Sequence, residues 1–348
     1  VHGRTLAEVG EGETLRRIFP LLPHAAAELL GPGDDAAVVA APDGRFVVTT
    51  DFMVHGPDFR LAWSSPHDLG WKAAMTNLSD VAAMGAAPSA LVVGLAAPLD
   101  TPVDVLLGIA DGLRDACALA APECGVVGGD LSVSATLTIA VTAFGDLGGR
   151  APVTRAGGRP GDVLAVAGDL GRAGAGIRLL FDEGVAPDGT PDAALGAEAK
   201  AAHPELVGAQ LAPVSPISSG VAAAVRGATA MLDVSDGLVL DARRLATASG
   251  CAVRLDPAAI DREAHDLLAV DAMVGERAAD FVLRGGEDHA LLAAFPPDAP
   301  LPEGFRHLGE LVPQRDPDPA AERVFIGTTP YAAYGGWDPY ADWDGASG

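Results

Sequence analysis

The sequence predicts an α/β protein of the α+β kind in two domains, and three observations carry the prediction. Strand-type and helix-type patterns alternate as β, α, β, α, β through the first ~145 residues, as expected for packed layers of sheet and helix. Between Gly145 and Pro160 the composition turns to Gly, Pro and Arg (GDLGGRAPVTRAGGRP), and strand and helix patterns resume beyond it. The 348 residues are 49% apolar, long enough for two cores and too apolar for a disordered acidic chain. The expected domains are therefore 1–148 and 149–348.

Taken in order, Glu13–Leu30 reads as a helix interrupted by Pro20 and Pro23. GPGDD (Gly31–Asp35) is a turn, followed by the short β-type runs AAVVA and FVVTT. Ser65–Gly85 has helical spacing, with Pro66 near its start and Gly85 as a stop. Ser89–Ala96 reads as a strand, Val103–Ala121 as a helix and Ala135–Phe144 as a strand. In the second half VLAVAG is a strand, and GRAGAGIRLLFDEG is a Gly-rich turn running into a helix. Gly184–Gly196 reads as an exposed acidic loop. Ala230–Val234, Ala252–Leu255 and His289–Phe295 read as strands, and Leu238–Gly250 as a helix. The tail after Val312 is rich in Pro, Asp and aromatics.

The charge narrows the function. Against 47 acidic residues stand 23 basic ones, a formal net charge of −24, and only Lys72 and Lys200 are lysines. Such a surface repels nucleic-acid backbones and anionic lipid, which excludes polyanion binding through a basic patch. Cys117, Cys124 and Cys251 form neither a disulfide framework nor a C-x-x-C pair, so a reducing cytoplasm is expected. The longest apolar stretch, around Ser89–Leu99, is shorter than the roughly 20 residues of a membrane helix. VHGRTLAEVGEGE has no signal-peptide pattern, so a soluble cytoplasmic protein is expected.

The Gly-rich turns raise the question of phosphate binding, yet no Gly-Lys-Ser/Thr loop exists, since Lys72 follows Trp71 and Lys200 follows Ala199. The protein-kinase signatures HRD and DFG are absent too, and GDLGRAGAG (Gly168–Gly176) does not match G-x-G-x-x-G. Any phosphate chemistry must therefore use something other than a P-loop lysine. Carboxylates are the alternative. Asp34 and Asp35 (GPGDDAAV), Asp51 (VVTTD), Asp130 (VVGGD), Asp233 and Asp236 (MLDVSDGL), and Glu287 and Asp288 (LRGGED) all stand at strand ends or tight turns beside small residues. Strand ends are where open sheets place ligands, and oxygen-only donors point to a hard cation, Mg²⁺ or Mn²⁺. Turn chemistry and helix capping explain any one of these residues equally well. On the helix Ser65–Gly85, Lys72, Thr76 and Asp80 follow one another at i, i+4 and i+8, with Asn77 beside them. That stripe is either a solvated face or the wall of a site; Thr, Asn and a single Asp favour the wall.

Taken together, GPGDDAAV, TTDFMV, GWKAAMTNLSDVAAMGA, VVGGD, TRAGGRPGD, DVSDGL and GGEDHALL resemble, in order and spacing, the thiamine-monophosphate kinase family. The likeness runs from about Gly31 to the C-terminal aromatic cluster. That family lies within the aminoimidazole-ribonucleotide synthetase and selenophosphate synthetase superfamily. The resemblance implies an N-terminal mixed sheet whose helices and strands form a homodimer interface, a C-terminal α/β domain, and ATP- and Mg²⁺-dependent conversion of thiamine monophosphate to thiamine diphosphate. It implies metal ligation by Asp35, Thr49, Thr50, Asp51, Asp80, Asp130, Asp233 and Asp236, with Asp51 and Asp130 as the catalytic pair. ATP would be contacted by Gly129, Asp130, Arg155 and Ser235, and the thiamine end by Glu287 and Trp337. The family pattern places a substrate-contacting His seven residues beyond the Asp of the TD motif. Here Asp58 stands at that position and His55 three residues earlier, so Asp58 is carried as the substrate-side residue. A related ATP-dependent ligase, a metal-dependent phosphatase on the same carboxylates and a non-catalytic nucleotide-binding module are the competing expectations.

Overall fold

The computed structural model describes residues 4–31, 37–315, 318 and 322–332, so Asp34, Asp35 and Trp337 lie outside the described residues. The N-terminal half contains α1 (Leu6–Val9), α2 (Glu11–Ile18), β1 (Glu28–Leu30), β2 (Val38–Val39), β3 (Val47–Val54), α3 (Pro66–Ala83), β4 (Ala87–Ala97), α4 (Val103–Ala120), β5 (Val126–Val133) and β6 (Thr138–Asp146). The C-terminal half continues with β7 (Val163–Ala167), α5 (Arg172–Glu183), α6 (Ala193–Ala202), α7 (Pro204–Leu211), α8 (Ile217–Val225), β8 (Ala230–Val234), α9 (Leu238–Ser249) and β9 (Cys251–Leu255). It closes with α10 (Pro257–Val270), α11 (Ala278–Arg284), β10 (Ala290–Phe295), β11 (Arg306–Pro313), β12 (Val324–Ile326) and β13 (Thr329–Pro330).

Three sheets result. The four-stranded sheet runs β3-β6-β4-β5, with β4 and β5 parallel because α4 makes the crossover between them. The seven-stranded sheet runs β13-β12-β9-β11-β7-β10-β8 and is antiparallel except where β12 meets β9. β1 and β2 form a small ribbon of their own. The expected long helix Glu13–Leu30 is corrected here. The α-helix stops at Ile18, Phe19–Leu21 is a 3-10 turn through Pro20, and Glu28–Leu30 is a strand, because two prolines remove the amides that would continue the ladder.

The central element is α3. Ser65 caps it, its Oγ accepting the Asp68 N–H while the Asp68 carboxylate accepts the Ser65 N–H, and Pro66 stands in its first turn. Leu69, Ala74, Met75, Leu78, Val81 and Ala82 are fully buried, so α3 has almost no outer face. One core joins α3 and α4 to the four-stranded sheet and to Ala165, Met231, Leu291 and Phe295 of the larger sheet. The opposite face of the larger sheet packs under α5, α7, α9, α10 and α11 as a second core.

Glycine sets how closely α3 is gripped. A Cβ on Gly70 would lie 1.9 Å from the Ile109 carbonyl oxygen, and one on Gly112 would lie 2.1 Å from the His67 carbonyl oxygen, so α3 and α4 meet backbone to backbone. We expect Gly70→Ala to force the two helices apart and to cost about 2–4 kcal/mol of stability in urea unfolding. A variant as stable as the parent would show that the helices have room to spare.

Candidate active site

Strand alternation decides which residues of β3 reach α3. Thr49, Asp51 and Met53 point toward the helix, whereas Val48, Thr50 and Phe52 are exposed on the other face. Thr49 Oγ1 donates to Asp80 Oδ2 at 2.8 Å, and the Asp51 N–H donates to Asn77 Oδ1 at 3.2 Å. Thr50 instead donates to the Val141 carbonyl oxygen at 3.0 Å, so its side chain turns away. The predicted stripe is a wall: Lys72, Thr76 and Asp80 face a cavity of about 310 Å³. Asp51, Asp58, Asp233, Ser235, Asp236, Glu287 and His289 line the same cavity.

Six of the predicted site residues on β3, α3 and the β8 turn are thus in or beside one cavity: Thr49, Asp51, Asp80, Asp233, Ser235 and Asp236. Gly129 and Asp130 are not with them. Through the pairs Asp51↔Val141, Val93↔Val141 and Val93↔Gly129, the Gly129 position lies three strands from Asp51. That separation is about 14 Å, and Asp130, the next residue, points to the opposite face. Asp130 is exposed, accepts the Ser132 hydroxyl at 2.7 Å, and with Gly129 lines a larger, mostly apolar cavity of about 920 Å³ beside Phe46, Val92 and Phe144. Arg155 is exposed in the loop between β6 and β7, its carbonyl oxygen accepting the Ser249 hydroxyl.

A smaller cavity of about 120 Å³ adjoins the acidic one and has a different character. Phe59, Trp63, Ile177, Phe181 and Leu211 give it aromatic and aliphatic walls. Trp63 is fixed by its indole N–H to the Gly184 carbonyl oxygen at 2.7 Å and by edge-on packing with Phe181. Asp58, Lys72 and Glu287 belong to both cavities and form the partition. Asp58 accepts the Val54 N–H at 2.7 Å, whereas His55 packs on Phe59 and lines neither cavity.

The partition is held by charge. Lys72, buried, reaches 3.0 Å to Glu287 Oε2 and 3.1 Å to the Gln210 carbonyl oxygen, and the Gln210 amide also donates to Glu287. Burial alone would raise the Glu287 carboxyl, but Lys72 and Gln210 outweigh it and hold the group below its ordinary value. Glu287 and His289 both adopt left-handed backbone, φ 66° and φ 51°, which aims their side chains inward.

His289 and Gln210 escaped the sequence reading. The signal for His289 was present in GGEDHALL, next to carboxylates already singled out, while nothing local marked Gln210 on α7. His289 Nε2 lies 3.3 Å from Thr76 Oγ1 and Nδ1 lies 3.3 Å from Asp233 Oδ2. Thr76 spends its hydroxyl proton on the Lys72 carbonyl oxygen, so Nε2 must be the donor to it. Nδ1 faces the Asp233 carboxylate. Burial pulls the His289 pKa down, yet Asp233 more than compensates and the group is raised.

The remaining carboxylates repel one another. Asp80 is pushed up to about 7 by burial first and then by Asp233 and Asp51, and Asp51 is raised by burial and by Asp233. Oxygen-only donors, partly buried and short of counter-charge, fit a hard divalent cation. Among the described residues no three His, Cys, Asp or Glu side chains are already gathered at ligating distance.

The pH consequence has a definite sign. A carboxyl whose folded pKa is raised from 3.8 to about 7 contributes stability below pH ~4, and that contribution is lost as pH rises through 7. We expect metal-free Asp80→Asn to be more stable than the parent above pH 7, by on the order of 2 kcal/mol, with the gap closing toward pH 4. Parallel melting curves across that range would remove the buried-repulsion account.

Comparison with known proteins adds identity to this geometry. Residues 33–147 match the family model described as AIR synthase related protein, N-terminal domain. The thiamine-monophosphate kinase of Mycobacterium tuberculosis is 42% identical over 98% of this chain and 94% of its own length. That of Corynebacterium glutamicum is 40% identical over 91% and 90%. Among solved structures, AaThiL complexed with AMPPCP and TMP is 29% identical, with a TM-score of 0.69 over 87% of this chain and 90% of that one. Hydrogenase maturation protein HypE in complex with ATP shares the fold at 17% identity, with a TM-score of 0.59 over 87% and 84%. A carboxylate-lined cavity, the ordered motif set and whole-length similarity converge, and the chain belongs to the thiamine-monophosphate kinase family.

Proposed function

We propose that this protein phosphorylates thiamine monophosphate to thiamine diphosphate at the expense of ATP. The observation that carries the reading is the pair of adjoining cavities divided by Asp58, Lys72 and Glu287. The apolar cavity suits the aromatic body of the acceptor, and the acidic cavity suits the phosphates. The relative solved with AMPPCP, an ATP analogue, and TMP supports the same pair of ligands. Asp51, Asp80, Asp233 and Asp236 would hold Mg²⁺, with Thr49 beside them. Bound there, Mg²⁺ would supply charge neutralisation for the donor and acceptor phosphates.

The chain's own residues do the rest. Phe59, Trp63 and Phe181 bury the ring system of the acceptor and Glu287, fixed by Lys72 and Gln210, orients it, so its phosphate projects past the partition into the acidic cavity. The acceptor oxygen is already largely ionised at neutral pH, so in-line attack on the γ-phosphorus needs no Asp as base. Ser235 would take the nucleotide side, and Arg155 would serve as a guanidinium fork for its phosphates. Asp51→Asn should keep its fold by circular dichroism and lose at least about 100-fold in kcat, read as thiamine diphosphate by mass spectrometry after incubation with ATP and Mg²⁺. ATP turnover only with a different acceptor, such as an aminoimidazole-pathway nucleotide, would end the reading.

We also place residues 1–148 and 149–348 as two domains, the first carrying the dimer contact. Val48 and Phe52 are 59% and 64% exposed on the open face of the four-stranded sheet, the face a second copy would cover. Asp130 lies at that face by its register with Gly94 and Phe52, which ties its part in nucleotide binding to the dimer. Val48→Asp should shift the protein from dimer to monomer by light scattering and raise KM for ATP several-fold. A dimer unaffected by the added charge would place the interface elsewhere.

A further inference from the structure

Asp236 and Asp241 share one cation. Arg244 Nη1 lies 2.6 Å from Asp236 Oδ2 and 2.7 Å from Asp241 Oδ1. Asp241 is the buried partner, its side chain 2% exposed, and its other oxygen accepts the Asp236 N–H at 3.0 Å. These residues form one unit. β8 ends at Val234, the chain turns through Ser235 and Asp236, and Gly237 with φ 113° starts α9, on which Asp241 and Arg244 sit one turn apart. A Cβ on Gly237 would come within 2.8 Å of the Arg284 carbonyl oxygen, so the turn is pressed against α11 and has little freedom. The backbone of Asp236 is therefore pinned, and its carboxylate is held at the edge of the acidic cavity by an arginine.

We propose that Arg244 is a resident counter-cation that occupies the Asp236 carboxylate until a divalent cation displaces it, and that Asp241 is the positioning residue that makes this exchange possible. The inference rests on reading the acidic cavity as a cation site. Asp51, Asp80 and Asp233 face one another across that cavity, and His289 answers Asp233; Asp236 is the member with its own guanidinium. Because a single nitrogen serves both carboxylates, Arg244 keeps Asp241 when Asp236 swings away, and no buried charge is stranded. Asp241 also keeps hold of the Asp236 N–H, so the swing is confined to the side chain. Arg244 then sets the affinity for the cation, in competition with it, without touching substrate.

The test is titration of the metal-free protein with Mn²⁺ alone, with free Mn²⁺ read by electron paramagnetic resonance. Arg244→Met should bind Mn²⁺ about 5- to 10-fold more tightly than the parent, since the competing charge is gone. Arg244→Gln keeps a donor for Asp241 and carries the same expectation if the Met variant does not fold. Arg243→Met removes an equal charge one residue away, from a side chain paired with Glu322, and should stay within about twofold of the parent. Unchanged or weaker binding in the Arg244 variants overturns the proposal, as does equal tightening by Arg243→Met, which would make the effect one of bulk charge. Asp236→Asn separates the two readings. Binding weakened about 10-fold supports Asp236 as a ligand. Unchanged binding removes Asp236 from the cavity's ligands and takes the proposal with it, whatever the arginine variants do.

Discussion

Everything at this site depends on one helix having no free side. α3 touches α4 and α8 backbone to backbone at Gly70, Gly112 and Gly220, lies under the four-stranded sheet, and meets the edge of the larger sheet at β8 and β10. A helix so enclosed has no solvent face on which to place polar residues. Its Lys72, Thr76 and Asp80 must therefore open on an internal cavity, and their spacing of four residues sets the spacing of the groups along its wall. The alanines and Gly70 of this helix, with Gly112 on α4 and Gly220 on α8, are what let its neighbours approach closely enough to create that enclosure.

The electrostatic design follows from the same enclosure. Carboxylates gathered in a half-buried space destabilise the fold unless something answers them. Here the answers are distributed: Lys72 to Glu287, His289 to Asp233, and Arg244 to Asp236 and Asp241. The Asp80 carboxylate accepts the Thr49 hydroxyl, whereas Asn77 holds the backbone N–H of Asp51 and not its carboxylate, and between these two acids the repulsion remains. In a protein of net charge −24, this leaves one enclosed place short of positive charge, of the kind a hard cation fits.

Much of this was readable from the chain. Ser65, Pro66 and Asp68 announce α3, and the spacing of Lys72, Thr76 and Asp80 announces its polar wall, because capping and helical period are local properties. The acidic motifs at Asp51 and at Asp233–Asp236 were legible for the same reason, although Asp51 lies inside β3 and not at its end. What local pattern could not give was the side of the sheet. Asp51 and Asp130 both end Gly- or Thr-rich strand motifs, yet strand pairing puts them on opposite faces, about three strand spacings apart. Thr50 turns away from Asp51 by the same alternation. Gln210 came from a helix with no motif, brought to Glu287 only by tertiary packing. The strand at Glu28–Leu30 was hidden by an apolar run that reads equally well as helix.

The scarcity of lysine has a practical side. The chain has two lysine side chains, and they live in opposite worlds: Lys200 is 43% exposed beside Asp68, whereas Lys72 is walled between the halves of the molecule. An amine-directed reagent therefore meets, apart from the chain terminus, a single accessible target. Labelling at Lys72 becomes a clock for the parting of the two halves around α3, built into the sequence without any engineered probe.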